Sequence, residues 1–450
     1  MEEPFASANA EAEIVRLTEG AKKVHWNPVD STFFDLFIPP TVYPPRHDSD
    51  LLARRISYLG AGRGRNFLEI GCGSGAISIL AASFGWKVSA CDINPFAVAA
   101  TRGNLELNCL QGDVREGGIG PEPFPFEQQF DLIVWNLPYI PLEEAGDDFL
   151  GPMEEAALLD TDSVGLAGRL LTSIANEDLL APEGRILIVG RKCTNLGAFG
   201  FAHRTWDKLS FDDGEELYLT CLWKPFEGAS NQYVEETGST NSDLLEAGGI
   251  GSHLRAGRQL AGKGRRGRLW SSIEDCYAGS WVVAENSEIS PGNMQLAGGL
   301  AVLNSLQHES LRLKWPNDIL IDTRKVCGVL AEGRSLGDGT KVVLGIGINL
   351  KNGDNDLDIE IASVDELFEI DAARLDITLH AEIASLLEER NDIPSLDYNG
   401  IRERVLEHMR NYGRPVVNGV IHDSFGINEN GELILDDGTI IDDGEDIEWT

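Results

Sequence analysis

Between residues 66 and 190, short apolar runs alternate with stretches whose apolar positions recur at helical spacing. Asn66–Ile70 is a strand-length run that meets a glycine loop, and the small residues of Ala76–Phe84 then predict a helix. Lys87–Ile93 predicts the next strand. Pro95–Leu107 predicts a helix with proline in its first turn, where the missing N–H has no helical partner to lose. Asp131–Asn136 continues as a strand, Gly165–Asn176 as a helix and Gly184–Gly190 as a strand. Glu216–Trp223 alternates and predicts a late, antiparallel strand. Strands separated by helices predict a doubly wound α/β domain with a parallel sheet.

Near Phe226–Gln232 the chain turns polar and rich in small residues, which predicts a domain boundary. A capped helix follows at Ser239–Leu245. Strand patterns occupy Ser280–Ala284, Leu311–Lys314, Val326–Glu332 and Val342–Leu350, and helical patterns Gln295–Leu303 and Thr378–Glu388. Arg414–Trp449 holds brief strands between turn signals such as Asn428-Glu429-Asn430-Gly431, the pattern of a small barrel. The expected division is 1–226, 227–411 and 412–450.

Length agrees with that division, since 450 residues exceed what one core usually serves. The acidic start, Met1-Glu2-Glu3-Pro4, lacks an apolar core, so no secretory leader is expected. No apolar run approaches the roughly 18 residues that span a bilayer, so no membrane association is expected and a cytoplasmic location is. Seven scattered cysteines without a Cys-x-x-Cys pair fit a reducing compartment and no structural metal site. The formal net charge is -36, with 18 basic and 33 acidic residues in 1–226 and 19 and 40 in the rest. That field repels nucleic acid at long range, so DNA binding is not expected; by itself the charge assigns no function.

Two stretches carry candidate chemistry. In the first half, Glu69-x-Gly71-x-Gly73-x-Gly75 follows a strand and opens a helix, where glycines permit a tight turn and close approach of a ligand to the backbone. Asp92 ends the next strand, placed to accept two ribose hydroxyls, and Asp113 is a candidate for an adenine amino group. The glycine spacing differs from the dinucleotide pattern Gly-x-Gly-x-x-Gly, which argues against NAD. Asn136-Leu137-Pro138-Tyr139 directly follows the strand residues Asp131–Trp135.

This set resembles the class I S-adenosylmethionine-dependent methyltransferases, specifically the HemK-like amino-methylating branch and its Asn-Pro-Pro-Tyr motif. The resemblance spans about residues 24–225 and implies a Rossmann-like α/β domain that binds S-adenosylmethionine through Glu69, Gly71, Gly73, Gly75, Asp92, Asp113 and Asn136. It also implies that the Asn136 side-chain oxygen and the next backbone carbonyl accept the target's amino hydrogens while Tyr139 packs over the planar group. Such catalysis works by orientation. Leu137 stands where the family has its first proline, which removes stiffness but keeps the carbonyl. Val42-Tyr43-Pro44-Pro45-Arg46-His47-Asp48-Ser49 resembles the entry segment of the short archaeal and eukaryotic type, and implies that Asp48-Ser49 reaches the cofactor's carboxylate end. The implied substrate is a glutamine in a peptide release factor, with a small activator protein as partner. Methylation of nucleic-acid amino groups, or a degenerate module that only docks partners, stays open.

In the second half, Gln259–Trp270 interleaves glycines with cations and ends on an aromatic. Alone it fits a nucleic-acid patch as well as a phosphate loop. Four further motifs flank it in order: Glu236–Asn241, Lys314-Trp315-Pro316-Asn317-Asp318, Lys325–Glu332 and Gly345-Ile346-Gly347-Ile348-Asn349. Together the five resemble the biotin protein ligases, with Lys263 replacing one arginine of the usual loop. The resemblance implies an α+β catalytic domain followed by an SH3-like β-barrel, and ATP-dependent attachment of biotin, through biotinyl-5'-AMP, to a lysine of a biotin carboxyl carrier protein.

Biotin's carboxylate and the α-phosphate of ATP repel, and Lys263, Arg265 and Arg268 supply screening charge on a loop able to exclude water. By resemblance, Ser239, Thr240, Asn241 and Gln259 hold biotin, and Lys325 bridges carboxylate and phosphate with Arg265 as its catalytic partner. Trp270 packs near adenine. Gly262, Gly264, Lys314, Asn317, Gly328 and Asn349 complete the biotin and ATP site, and Asp318 is the candidate Mg²⁺ ligand. The repressor form of the family carries a DNA-reading winged helix ahead of the ligase, a place taken here by the methyltransferase-like half.

Overall fold

The computed structural model describes residues 20–120, 123–138, 140–141, 159–160, 165–212, 214–267, 269–270, 275–285, 290–336, 339–351 and 361–450. Tyr139 and Arg268 lie outside the described residues. The chain divides into two compact units, Met1–Lys224 with Asp392–Pro394, and Pro225–Asn391 with Ser395–Thr450.

In the first unit an antiparallel hairpin, β1 (Lys22–Val29) and β2 (Thr32–Ile38), leads to helix α1 (His47–Leu59). The central strands are β3 (Asn66–Ile70), β4 (Lys87–Asp92), β5 (Gly112–Glu116), β6 (Phe130–Asn136), β7 (Leu180–Gly190), β8 (Ala202–Ser210) and β9 (Glu216–Trp223). Their order across the sheet is β8-β9-β7-β6-β3-β4-β5. The five from β5 to β7 run parallel, while β9 and β8 run antiparallel at the far edge. Helices α2 (Ala76–Ser83), α3 (Pro95–Leu107) and α4 (Leu166–Asn176) link the parallel strands. Phe67, Leu68, Ile133 and Val134 are fully buried, as expected for parallel strands covered on both faces. From β3 the chain proceeds outward through β4 to β5, then returns to β6 on β3's other side. Strand order therefore reverses between β3 and β6, which opens a crevice at their carboxyl ends.

The second unit has its own seven-stranded sheet. Its strands are β10 (Asn231–Thr237), β11 (His253–Gln259), β12 (Cys276–Glu285), β13 (Leu311–Lys314), β14 (Asp318–Ile321), β15 (Arg324–Leu336) and β16 (Gly339–Asn349). They are ordered β10-β11-β12-β16-β15-β14-β13 and are antiparallel except for the β10–β11 pair. Helix α5 (Thr240–Ala247) is capped by Ser239, and α6 (Pro291–Leu306) and α7 (Ala372–Leu387) are longer. Val343 packs with Leu244 of α5, whereas Leu344 meets α6 at Gly298. Successive strand residues face opposite ways, so α5 and α6 cover opposite faces of this sheet. Helix α8 (Tyr398–Tyr412) precedes two small three-stranded sheets: 415–417 with 420–421 and 448–449, and 425–427 with 433–435 and 440–441.

The predicted strands and helices appear, several of them longer than the pattern indicated; Ser280–Ala284 lies inside Cys276–Glu285, for example. The residue pattern did not predict β1, β2, β5, β8, β10, β11, β14, α1 or α8. Helix α8 buries only Ile401, Val405 and Met409 in a largely charged sequence, a stripe too thin to stand out. Among the described residues no helix is long and apolar enough to cross a membrane.

Candidate functional site

At the switch point of the first unit lies a cavity of about 360 Å³. The loop after β3 forms its floor: Gly71, Gly73 and Gly75 have φ of 65°, 51° and 77°, values that a side chain would strain. Gly75 does not line the cavity; a methyl group there would come within 2.8 Å of Thr101, so this glycine seats the loop on α3. Asp92 at the end of β4 is anchored by the Gly73 N–H (2.9 Å) and the Asn94 N–H (2.8 Å), and its carboxylate borders the cavity. Burial raises its pKa against those two bonds. Glu69 accepts a 2.5 Å hydrogen bond from the Ser78 hydroxyl, and burial pushes its pKa up to about 8.

Ser49 also lines this cavity, and with it Asp48. Asn136, at the carboxyl end of β6, donates from Nδ2 to Asp48 Oδ2 at 3.0 Å. Its Oδ1 is buried, with no hydrogen-bond partner among the described residues. Leu137 donates its N–H to the Val189 carbonyl at 2.9 Å, which ties the segment after β6 to β7 without a proline. Asp113 is not brought to this cavity. It is exposed on β5 and paired with Arg115 at 2.6 Å. The cavity is lined also by Ile93 and by Gly117–Ile119, a short glycine-containing segment without a charged group to draw notice in the sequence.

In the second unit a cavity of about 440 Å³ opens on the α5 face of the sheet. Gly345, Gly347 and Asn349 of β16 lie along it at alternate positions, and Gly328 of β15 pairs directly with Gly347. The indole of Trp270 lies over this glycine pair: a methyl at Gly347 would stand 2.6 Å from it, and one at Gly328 2.9 Å. Gly262 pairs with Trp270 in a short antiparallel bridge and lies outside the cavity lining.

Buried polar groups close one end. The Gln259 side-chain oxygen accepts from the Thr240 N–H (2.9 Å) and hydroxyl (3.1 Å), and Thr240 and Ser280 hydroxyls meet at 2.6 Å. Ser280 donates to Asn241 Oδ1 (2.6 Å), whose Nδ2 donates to Glu332 (2.8 Å). Cations line the cavity as well. Lys325 pairs with Asp318 at 2.6 Å and lies 5.4 Å from the Trp270 ring centre. Lys263 reaches Glu332 at 3.4 Å. Arg265 faces Asp443 at 3.7 Å, and Arg266 meets Asp443 and Glu445. Gly264 and Lys314 line the cavity too. Asn317 and Asn349 line it while donating to backbone carbonyls, Asn317 to Val329 and Asn349 to Lys325 and Ala362. Ser280 and Asp443–Glu445 were not singled out from sequence. The first is one small residue in an apolar strand, and the second is part of a uniformly acidic tail.

A glycine loop beside an anchored carboxylate lines one cavity, and a cationic glycine loop beside a stripe of strand glycines lines the other. The profile of the Biotin/lipoate A/B protein ligase family matches residues 235–349, and that of Ribosomal protein L11 methyltransferase (PrmA) matches residues 57–158. A biotin--[acetyl-CoA-carboxylase] ligase of Mycobacterium tuberculosis is 33% identical over 228 residues, 46% of this chain and 82% of that protein. The chain belongs to the biotin--[acetyl-CoA-carboxylase] ligase family, and its first half carries a PrmA-like methyltransferase domain. A release factor glutamine methyltransferase of Geobacter sulfurreducens is 33% identical over 176 residues, 37% of this chain and 60% of that protein. Among solved structures, a biotin protein ligase from Aquifex aeolicus in complex with biotin and ATP is 25% identical, with a TM-score of 0.41. That match covers 49% of this chain and 98% of the other.

Proposed function

We propose that this chain carries two activities: ATP-dependent ligation of biotin to a lysine of a biotin carboxyl carrier protein, and S-adenosylmethionine-dependent N-methylation of a glutamine in a peptide release factor. The observation that carries the ligase reading is the convergence of five separated segments on one cavity. Residues 239–241, 259–270, 314–318, 325–328 and 345–349 all contribute to its lining.

At its closed end, the Ser239, Thr240, Asn241 and Gln259 cluster presents buried hydrogen-bonding groups of the kind a ureido ring needs. Lys325, Lys263, Lys314 and Arg265, which line the same cavity, offset the repulsion as biotin's carboxylate attacks the α-phosphate of ATP, forming biotinyl-5'-AMP and releasing pyrophosphate. Arg268 joins this role by its place in the loop. Trp270 gives the adenine a flat apolar neighbour. Asp318 offers a single carboxylate, which suits Mg²⁺ carried by the nucleotide's own phosphates. Attack by the carrier lysine then yields the amide and releases AMP. Residues 412–450 serve as a small SH3-like β-barrel and 227–411 as the catalytic domain.

In residues 1–226 the donor set fits S-adenosylmethionine: Asp92 for the ribose, Gly71 and Gly73 for close backbone approach, and Ser49 for the amino-acid end. That cofactor supplies an electrophilic methyl group when bound. Asn136 Oδ1, buried and unpaired among the described residues, suits an amino hydrogen of the acceptor, with Tyr139 packing over the acceptor's amide plane. The test offers the purified chain labelled S-adenosylmethionine with a release-factor fragment, with RNA, and with DNA. Label on the fragment's glutamine is expected. Label on nucleic acid alone would overturn the substrate assignment, and no binding of the cofactor would favour a docking module.

A further inference from the structure

We infer that Asp48 is a positioning residue for methyl transfer, which sets the orientation of the Asn136 amide so that its oxygen faces the acceptor. The inference rests on the amino-methylation reading above. An asparagine side chain has two nearly isosteric faces, an oxygen that accepts and an NH₂ that donates, and only the oxygen can hold an acceptor's N–H. Nothing in the shape of Asn136 selects between them. Asp48 Oδ2 does, because a carboxylate oxygen accepts; at 3.0 Å it takes the Nδ2 donor and leaves Oδ1 buried, with no partner among the described residues.

Asp48 is itself locked. It is buried, and its other oxygen accepts from the Ser49 N–H (2.6 Å) and the Ser49 hydroxyl (3.2 Å) at the start of α1. One carboxylate thus serves two sets of donors on opposite oxygens. An asparagine at position 48 has only one oxygen for both. Two Ser49 donors outweigh one amide that is able to turn over, so its oxygen stays with Ser49 and its NH₂ faces residue 136. Asn136 then flips and presents NH₂ to the acceptor, donor against donor.

Asp48→Asn is therefore expected to lower the kcat of methyl transfer roughly 100-fold, the scale of losing one oriented hydrogen bond in a transition state. Because Ser49 keeps its partner, affinity for S-adenosylmethionine should stay within about threefold of wild type, separating orientation from loss of the site. Adding Asn136→Asp supplies an oxygen on both faces of residue 136. The double variant is expected to recover at least tenfold over Asp48→Asn, whereas Asn136→Asp alone places two carboxylates face to face and stays impaired. Simple unfolding does not produce such a rescue, and retained S-adenosylmethionine binding by the same preparations reports that the first unit is intact.

A readout independent of turnover is the side-chain amide resonance of Asn136 in an asparagine-labelled chain, assigned with Asn136→Ala. A carboxylate-bonded proton shifts it downfield in wild type, and Asp48→Asn removes the shift. If Asp48→Asn keeps kcat within about threefold, or the double variant is no faster than Asp48→Asn, the inference is overturned. Failure of the wild type to methylate any acceptor falls on the proposed function instead, and the amide resonance then decides the role of Asp48 alone.

Discussion

Gly347→Ala tests how the ligase cavity is built. Gly347 faces Gly328 across β15 and β16, and the Trp270 indole lies over the pair. A methyl group at 347 would sit 2.6 Å from Trp270 Cε2, 2.7 Å from Cζ2 and 2.8 Å from Nε1. Carbon atoms rest at about 3.5–4.0 Å, so the ring must retreat by about 1 Å into space the ligand needs. Overpacking of this kind costs about 1–3 kcal/mol, equivalent to roughly 5- to 150-fold in affinity when the strain falls on the bound state. Gly333→Ala is the matched control on β15, since its methyl meets nothing nearer than Thr340 Cγ2 at 3.4 Å and the Lys341 carbonyl at 4.0 Å.

Calorimetric titration of ATP and biotin into wild type and both variants reads the difference. Weaker binding in Gly347→Ala, unchanged binding in Gly333→Ala, and no further loss when Gly347→Ala is added to Trp270→Ala are expected. If Gly347→Ala binds both ligands within about twofold of wild type, the indole does not occupy the seat described.

Glu69 makes a pH prediction. The folded chain holds its proton up to about 8 because of burial, whereas the unfolded chain releases it near 4.5. The stabilisation is complete below 4.5 and is lost as pH rises to about 8, by up to about 1.4 kcal/mol per pH unit. Denaturant unfolding of Glu69→Gln between those limits should show a flatter pH profile than wild type; an unchanged slope would remove Glu69 as its source. Asp92→Ala removes a carboxylate held by two backbone N–H groups, and loss of its charged hydrogen bonds, about 1.5–3 kcal/mol, should weaken S-adenosylmethionine binding roughly 10- to 150-fold by calorimetry. Affinity equal to wild type would place the ribose elsewhere.

Both glycine loops that line the cavities were legible from sequence because of their rare residue patterns: glycines where φ is positive, and cations interleaved with glycine. The inner parallel strands β3, β4, β6 and β7 were legible because burial on both faces makes them largely apolar runs, as at Leu132–Trp135 and Ile186–Val189. What escaped lacks such a pattern. Asp113 has the right spacing, but on an edge strand it turns to Arg115 and solvent. Edge strands β5 and β10 are mostly exposed and follow no apolar pattern. Asp48's bond to Asn136 joins residues 88 positions apart, and Asp443 meets Arg265 over a longer interval still. Such pairs come from the fold, not from spacing.

The most direct measurement is biotin attachment by Lys325→Ala. Lys325 is the cation that pairs with Asp318 beside Trp270, and its removal leaves the Asp318 carboxylate unneutralised where two anionic substrates must meet. The chain is mixed with ATP, Mg²⁺, labelled biotin and a carrier domain, and label on the carrier lysine is counted. Wild type is expected to label the carrier and Lys325→Ala to leave it unlabelled. Undiminished labelling by the variant would contradict the assignment of this cavity as the ligase site.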